Sequence, residues 1–353
     1  ENIRTDVRVV NLSLIAVDWY IDQLRRAVNN SPAIDMSIPA EQLRGFKRVQ
    51  IPYYSMTNQD PLMNLDAVIK FMGEDHKLPS GQGRDFDTYL PTRKIFIPVN
   101  KKAALASGTV ALSDSAKIVD TMMMDLGDKT EYIIKDQLAM MDIVASNLFK
   151  RPIYWAVTVR EDRLLGLENY LQLEGLALRL TPIRREGDGQ YGVPGAGGVA
   201  TDIAFQNIME KWKWGNFDKE KQFVDRSFMP SIQTMRLSMI RLGNALVDEK
   251  KNDKAIALVD KYFEVFPSYN FPYDQFSSLM VEIYARAGAN DKLEARARDI
   301  AKAMQEQLQF IHSQPAQYRK GFQSDEQFAL GAVQYLMRSA DIAKNQALLD
   351  ELE

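Results

Sequence analysis

The most suggestive chemistry in this sequence sits at Asp18-Trp19-Tyr20, a carboxylate beside two aromatic rings. A carboxylate accepts hydrogen bonds from sugar hydroxyls and an aromatic face stacks on a sugar ring, so the triplet has the makings of a glycan contact. It follows a run of β-branched and aliphatic residues and opens a helical pattern, and ligands favour that handover in an open α/β sheet. Asn100 and Lys101 close a second apolar run, and Thr158 and Glu161 follow a third. Asp18, Tyr20, Asn100, Lys101, Thr158 and Glu161 therefore form one candidate crevice. The competing reading is structural, since Asp is a favoured helix N-cap and both rings suit a core. A second aromatic pair, Trp212 and Trp214 in "EKWKWGNFD", lies between lysines, where it suits a glycan, a partner surface or internal docking.

Other chemistries find less support. Gly195-Ala-Gly-Gly-Val-Ala200 matches G-x-G-x-x-A, but a phosphate loop needs its first glycine directly after a strand. Here the polar residues 184–194 intervene, so a linker is expected. Cysteine is absent, which excludes disulfides, thiolate nucleophiles and Cys-ligated metals. His76 and His312 are the two histidines, both in polar surroundings, and Asp85/Asp87 and Asp125/Asp128 read as turn formers. No metal site and no cofactor is expected. Met122-Met123-Met124 and Met140-Met141 read as core filling at helical spacing. No Ser–His–Asp set or G-x-S-x-G motif assembles, so no catalytic residue is named.

The elements that must position these groups fall into two kinds. The chain has 353 residues, enough for two domains, with 46% hydrophobic and 26% charged residues, the profile of a folded protein. A net charge of -3 offers no basic face, so nucleic acid is not an expected partner. No run of 18 apolar residues occurs, so no membrane span is expected within these residues. The start, "ENIRTDVRVVNLSL", lacks Met and enters an apolar run at once, as expected of a segment cut from a larger protein, with processing as the alternative.

"VRVVNLSLI" at 7–15 predicts a buried strand and "VDWYIDQLRRAVNN" the helix after it. "NLDAVIKFMGED" predicts a short helix and "KIFIPVN" a strand at 94–100. A helix is expected over 131–148, ended by Pro152, then a strand in "PIYWAVTV" and another at 176–183. Alternation of strands and helices predicts a Rossmann-like layered α/β domain over 1–190, with a parallel or mixed sheet. Residues 191–230 are expected to be a Gly-rich linker and docking segment.

From 231 to 353 the pattern is helical. Leu242, Gly243, Ala255 and Pro267 fall at the spacing of a tetratricopeptide repeat, although Met239 and Tyr262 depart from it. Asn252-Asp253-Lys254 recurs 38 residues later as Asn290-Asp291-Lys292. A third unit pairs "EQFALGAVQYLMRS" with "NQALLDELE". The fold class expected is thus α/β followed by all-α, ending in a tetratricopeptide-like array of helical hairpins.

Segments along the chain carry a resemblance. "IRTDVRVVNLSL", "VDWYIDQL", "KRPIYWAVTV", "LGLENYLQLEGLALRLTPI", "TDIAFQNIMEKWKWGNFD" and "FPYDQF" together resemble the C-terminal soluble region of bacterial protein O-mannosyltransferase-like membrane proteins of the GT-C glycosyltransferase class. The resemblance implies a multi-span membrane region upstream, a polyprenyl-phosphate sugar donor, and an acidic catalytic residue in that upstream region. It implies that these 353 residues lie on the periplasmic side of the inner membrane, as part of a larger membrane protein. The expected partners are then the protein's own membrane region and an acceptor protein or glycan, with this segment non-catalytic. Two rival readings stand beside it: an α/β enzyme acting on a sugar or phosphate ester, and a cell-envelope scaffold.

Overall fold

A computed structural model describes residues 5–56, 59–80, 85–185 and 195–353. The chain divides into two compact units. The first runs to Gln172 and takes in residues from Arg179 and the turn Ala196–Gly198, and the second holds Leu173–Leu178 and Val199–Glu353.

The α/β part contains the helices α1 (Asp18–Leu24), α2 (Ala40–Leu43), α3 (Leu65–Gly73), α4 (Lys101–Ala106) and α5 (Lys135–Asn147). Its strands are β1 (Gln50–Pro52), β2 (Met63–Asn64), β3 (Lys94–Pro98), β4 (Thr121–Asp125), β5 (Tyr132–Ile134) and β6 (Tyr154–Ala156), followed by β7 (Leu171–Leu173), β8 (Ala177–Leu180) and β9 (Gly198–Val199). They form three small sheets rather than one continuous sheet: β1-β5, β2-β3-β4 and β6-β8-β7-β9. β2 pairs parallel to β3, and β3 pairs antiparallel to β4 with Ile95 opposite Met124 and Ile97 opposite Met122. The side-chain period of two explains the pairing, since Ile95, Ile97, Met122 and Met124 are buried while Met123 is exposed. The methionine run therefore fills the core through Met122 and Met124, but as a strand and not at the helical spacing its neighbours suggest.

α3 forms where local signals agree. The Asn64 side chain accepts from the Asp66 amide as an N-cap, and Leu65, Val68, Ile69 and Met72 bury one face, which packs on α5. α5 starts after β5, which takes up residues that the sequence pattern assigns to the helix. Gly166 packs against the end of β4 at φ +70, where an added Cβ would lie 2.1 Å from the Asp125 carbonyl oxygen. No other residue fits there.

The expected strand at 7–15 does not form. The Asn11 side chain accepts from the Ser13 amide, and backbone bonds from Leu14 to Asn11 and from Val17 to Leu14 wind the segment into turns. An Asx turn competes with extension, and β-branched residues favour a strand only where a neighbouring strand and a packing surface exist.

The helical part opens with α6 (Thr201–Gln206) and continues through α7 (Met229–Asp248), α8 (Asn252–Val265), α9 (Gln275–Ala287), α10 (Asn290–Ser313), α11 (Ala316–Arg319), α12 (Gln323–Ile342) and α13 (Gln346–Leu352). The pairs α7/α8, α9/α10 and α12/α13 are helical hairpins, and α9 packs against both α7 and α12. The repeated Asn-Asp-Lys segments begin α8 and α10, each reached through a left-handed residue, Lys250 or Gly288. Gly243 permits close packing of α7 on α9, because a Cβ there would meet Ile283 Cδ1 at 2.4 Å. Tyr262 replaces the small residue of the repeat pattern because its hydroxyl accepts from buried Arg236 Nε at 2.7 Å. An α/β region followed by an all-helical region is thus the observed class.

Candidate functional site

Of the six crevice residues, Asp18, Tyr20, Asn100 and Lys101 are held by different partners. Asp18 does not cap its own helix, whose N-cap is Val17; its carboxylate accepts instead from the Gly45 amide at 2.9 and 3.1 Å. Buried Lys135 donates to the Gly45 carbonyl at 2.6 Å, so this turn is held from both sides. Burial holds the Lys135 ammonium below its ordinary pKa, with the Asp18 and Asp87 carboxylates acting in the opposite sense. The Tyr20 hydroxyl accepts from the Asn11 amide and donates to the Val9 carbonyl, while Trp19 is exposed. Asn100 caps α4 by accepting from the Ala103 amide, and Lys101 pairs with Asp120 at 2.8 Å. Thr158 lies in a turn after β6, and Glu161 opens a short 3-10 turn. Among the described residues no hydrogen bond or ion pair joins any two of the six.

Trp212 and Trp214 stand together, ring centroids 5.5 Å apart, both half-buried. Trp214 meets Phe266 edge-on at the end of α8. Trp212 covers Gly175, whose added Cβ would lie 3.3 Å from the indole nitrogen. Gly195-Ala-Gly-Gly-Val-Ala200 continues as β9 and α6, and an added Cβ on Gly195 would strike the Arg241 guanidinium. The residues before Gly195, 186–194, lie outside the described residues.

A cleft of about 670 Å³ opens in the first unit instead, among the 37–42 strap, α3 and α5. Asp66, Lys70, Glu74 and Asp75 supply charge from α3 and its C-terminal end, and Ser37 and Ser146 face them. Ile38 and Ile69 give it an apolar component. Two buried charges hold the walls. Asp142 accepts from the Ser37 amide and hydroxyl at 2.8 and 2.7 Å, from the Ile38 amide at 3.0 Å and from the Ser146 hydroxyl at 3.1 Å. Arg48, at φ +52, donates to the Met72, Gly73 and Glu74 carbonyls, to the Gln42 carbonyl and side chain, and to Asp75. It thereby caps the C-terminus of α3, where a cation offsets the helix dipole and satisfies carbonyls that lack intrahelical partners.

Sequence reasoning passed over Asp142 and Arg48. The signal for Asp142 was a lone carboxylate inside the apolar run "LAMMDIVA", a position that requires partners from elsewhere. Of the turn-forming acids, Asp87 accepts from the Arg48 amide and Asp125 from the Gly127 amide. His76 is not an exposed histidine in polar surroundings, since its ring stacks flat on Phe71 at 3.9 Å, whereas His312 is exposed and bonded to Glu326. Among the described residues no group of three or more His, Asp or Glu gathers to hold an ion, and no helix is long and apolar enough to cross a membrane.

An α/β region carrying a pinned polar cleft and preceding a helical-hairpin array defines the class of protein. Residues 1–196, more than half of the chain, match TMEM260-associated domain 2, and the chain belongs to that family. Comparison with curated proteins gave no match, and neither did comparison with solved structures.

Proposed function

We propose that the chain is an accessory, non-catalytic part of a membrane-embedded glycosyltransferase-like protein of the GT-C class, and that it recruits the acceptor, a protein or a glycan. The observation that carries this reading is the match of residues 1–196 to a domain named for its association with TMEM260. It agrees with the resemblance to protein O-mannosyltransferase-like proteins in the sequence. The reading puts the chain on the periplasmic side of the bacterial inner membrane, next to its own membrane region. The inner row α7, α9 and α12 supports the recruiting role, because stacked helical hairpins offer an extended surface to a polypeptide. For a glycan acceptor the reading assigns the contact to the Trp212–Trp214 pair.

The test uses the isolated chain and the full-length protein side by side, each given a polyprenyl-phosphate mannose donor and a panel of envelope proteins and glycans. Transfer by the full-length protein, lost when these 353 residues are deleted and absent from the isolated chain, is the expected result. Turnover of the donor by the isolated chain would refute the accessory role. Protease access in spheroplasts tests the location.

A further inference from the structure

We propose that the cleft among the 37–42 strap, α3 and α5 binds a basic segment of a polypeptide. In this assignment lysine or arginine side chains meet Asp66, Glu74 and Asp75, and their aliphatic stems lie over Ile38 and Ile69. Charge is the first ground. Asp66, Glu74 and Asp75 line the cleft with one ammonium, Lys70; counting also the buried Arg48, which pairs with Asp75, and the buried Asp142, carboxylates still outnumber cations. A cleft with that excess attracts cations and repels phosphates or acidic peptides.

Availability is the second ground. The nearest basic nitrogen to Glu74 is His76 Nε2 at 3.7 Å, beyond hydrogen-bond reach, and Glu74 and Asp75 are both more than half exposed. Asp75 gives Oδ1 to Arg48, and Asp66 enters no ion pair among the described residues. The third ground is the mixture of surfaces. Among the described residues no aromatic ring lines the cleft, so they give it no platform on which a sugar stacks. It does hold Pro39 and Ala145 beside the two isoleucines, which suits the methylene stems of long basic side chains better than a bare metal ion. The volume of about 670 Å³ lies within the usual range of ligand sites. Walls fixed by Arg48 and Asp142 also reduce the ordering that binding would otherwise require.

The site deepens the acceptor-recruiting reading by naming the acceptor feature recognised, and in that sense rests on it; the binding test needs no donor, membrane or transfer, so the two fail separately. The probe is a fluorescent, end-blocked Lys/Arg pentapeptide, compared by anisotropy with its Glu/Gln counterpart and with a neutral oligosaccharide. The full chain is expected to bind the basic peptide in preference, more weakly as salt rises. Because exposed charge pairs are individually weak, Asp66→Asn with Glu74→Gln weakens binding about fivefold, and Lys70→Gln strengthens it. Asp291→Asn, on α10, is the control for non-specific attraction and leaves affinity unchanged. Equal affinity for both peptides, preference for the oligosaccharide, or equal losses from the cleft and control variants would each overturn the assignment. Circular dichroism confirms that these exposed substitutions leave the fold intact.

Discussion

Replacing Arg48 separates what its side chain and its backbone contribute to the cleft. The side chain is buried and makes six hydrogen bonds, three of them to the last carbonyls of α3 at 2.7, 3.1 and 3.0 Å. Its cost is the desolvation of a guanidinium, several kcal/mol by general estimates, which the bonds must exceed. Its gain is the cap of α3, up to about 2 kcal/mol for a partly buried cation at a helix C-terminus, and the satisfaction of acceptors that otherwise each cost about 1 kcal/mol or more. Arg48→Ala is therefore expected to lose about 3 kcal/mol. Arg48→Gly loses the same bonds but relieves a left-handed backbone, so it should exceed the alanine variant in stability by about 1 kcal/mol, the reverse of their order in a helix. Lysine at 48 keeps the charge but not the fork, and should recover only a fraction of the loss. Urea unfolding measures the totals, and amide hydrogen exchange across 72–75 reports the wall itself. An alanine variant within 1 kcal/mol of wild type, with protection of those amides unchanged, would refute the claim that Arg48 holds the cleft. A glycine variant less stable than the alanine one would refute the strain argument.

In the helical unit, Arg236 on α7 reaches Tyr262 on α8 and Asp274 at the start of α9, with the Asp274 contacts at 2.5 and 2.8 Å. Arg236→Met should cost about 3 kcal/mol in urea unfolding, and a cycle with Asp274→Asn should show coupling; additive losses would refute the network. Glu282 on α9 is buried, its Oε2 has no hydrogen-bond partner among the described residues, and it pairs with Arg338 at 3.5 Å. Burial raises its carboxyl pKa against the opposing effect of Arg338 and Arg286, so the native state keeps this proton to a higher pH than the unfolded chain does. Its contribution is present below the unfolded value near 4.5 and is lost as pH rises through the native value. Glu282→Gln should then stabilise by about 1 kcal/mol at neutral pH and by little near the unfolded value; equal shifts in thermal unfolding at both would refute this. Gly243→Ala should destabilise by about 1 kcal/mol, as the clash with buried Ile283 exceeds the gain in helix propensity, and a stabilised variant would show that Ile283 yields freely.

The parts of this fold that the sequence reveals are those set by neighbours in the chain. Asn64 and the apolar positions 65, 68, 69 and 72 carry both the cap and the buried face of α3, and the Asn-Asp-Lys turns announce α8 and α10. What stays hidden depends on distant partners. Nothing near Met122-Met123-Met124 indicates a period of two until Ile95 and Ile97 lie opposite, and the run at 7–15 has strand composition but an Asx turn and, among the described residues, no strand beside it. The same division holds for the cleft. Strand ends predict a shared crevice where one continuous open sheet gathers its C-terminal ends. With three small sheets, Asn100 instead caps α4, and Asp18 fixes the Gly45 turn. Charges in the wrong surroundings are the more general pointer here. A carboxylate inside an apolar helix and an arginine at a left-handed position are each costly alone, so their burial requires partners, and those partners are the walls of the cleft. Asp142 reaches Ser37 and Ile38 more than a hundred positions away in sequence, and that distance is why no local pattern disclosed it.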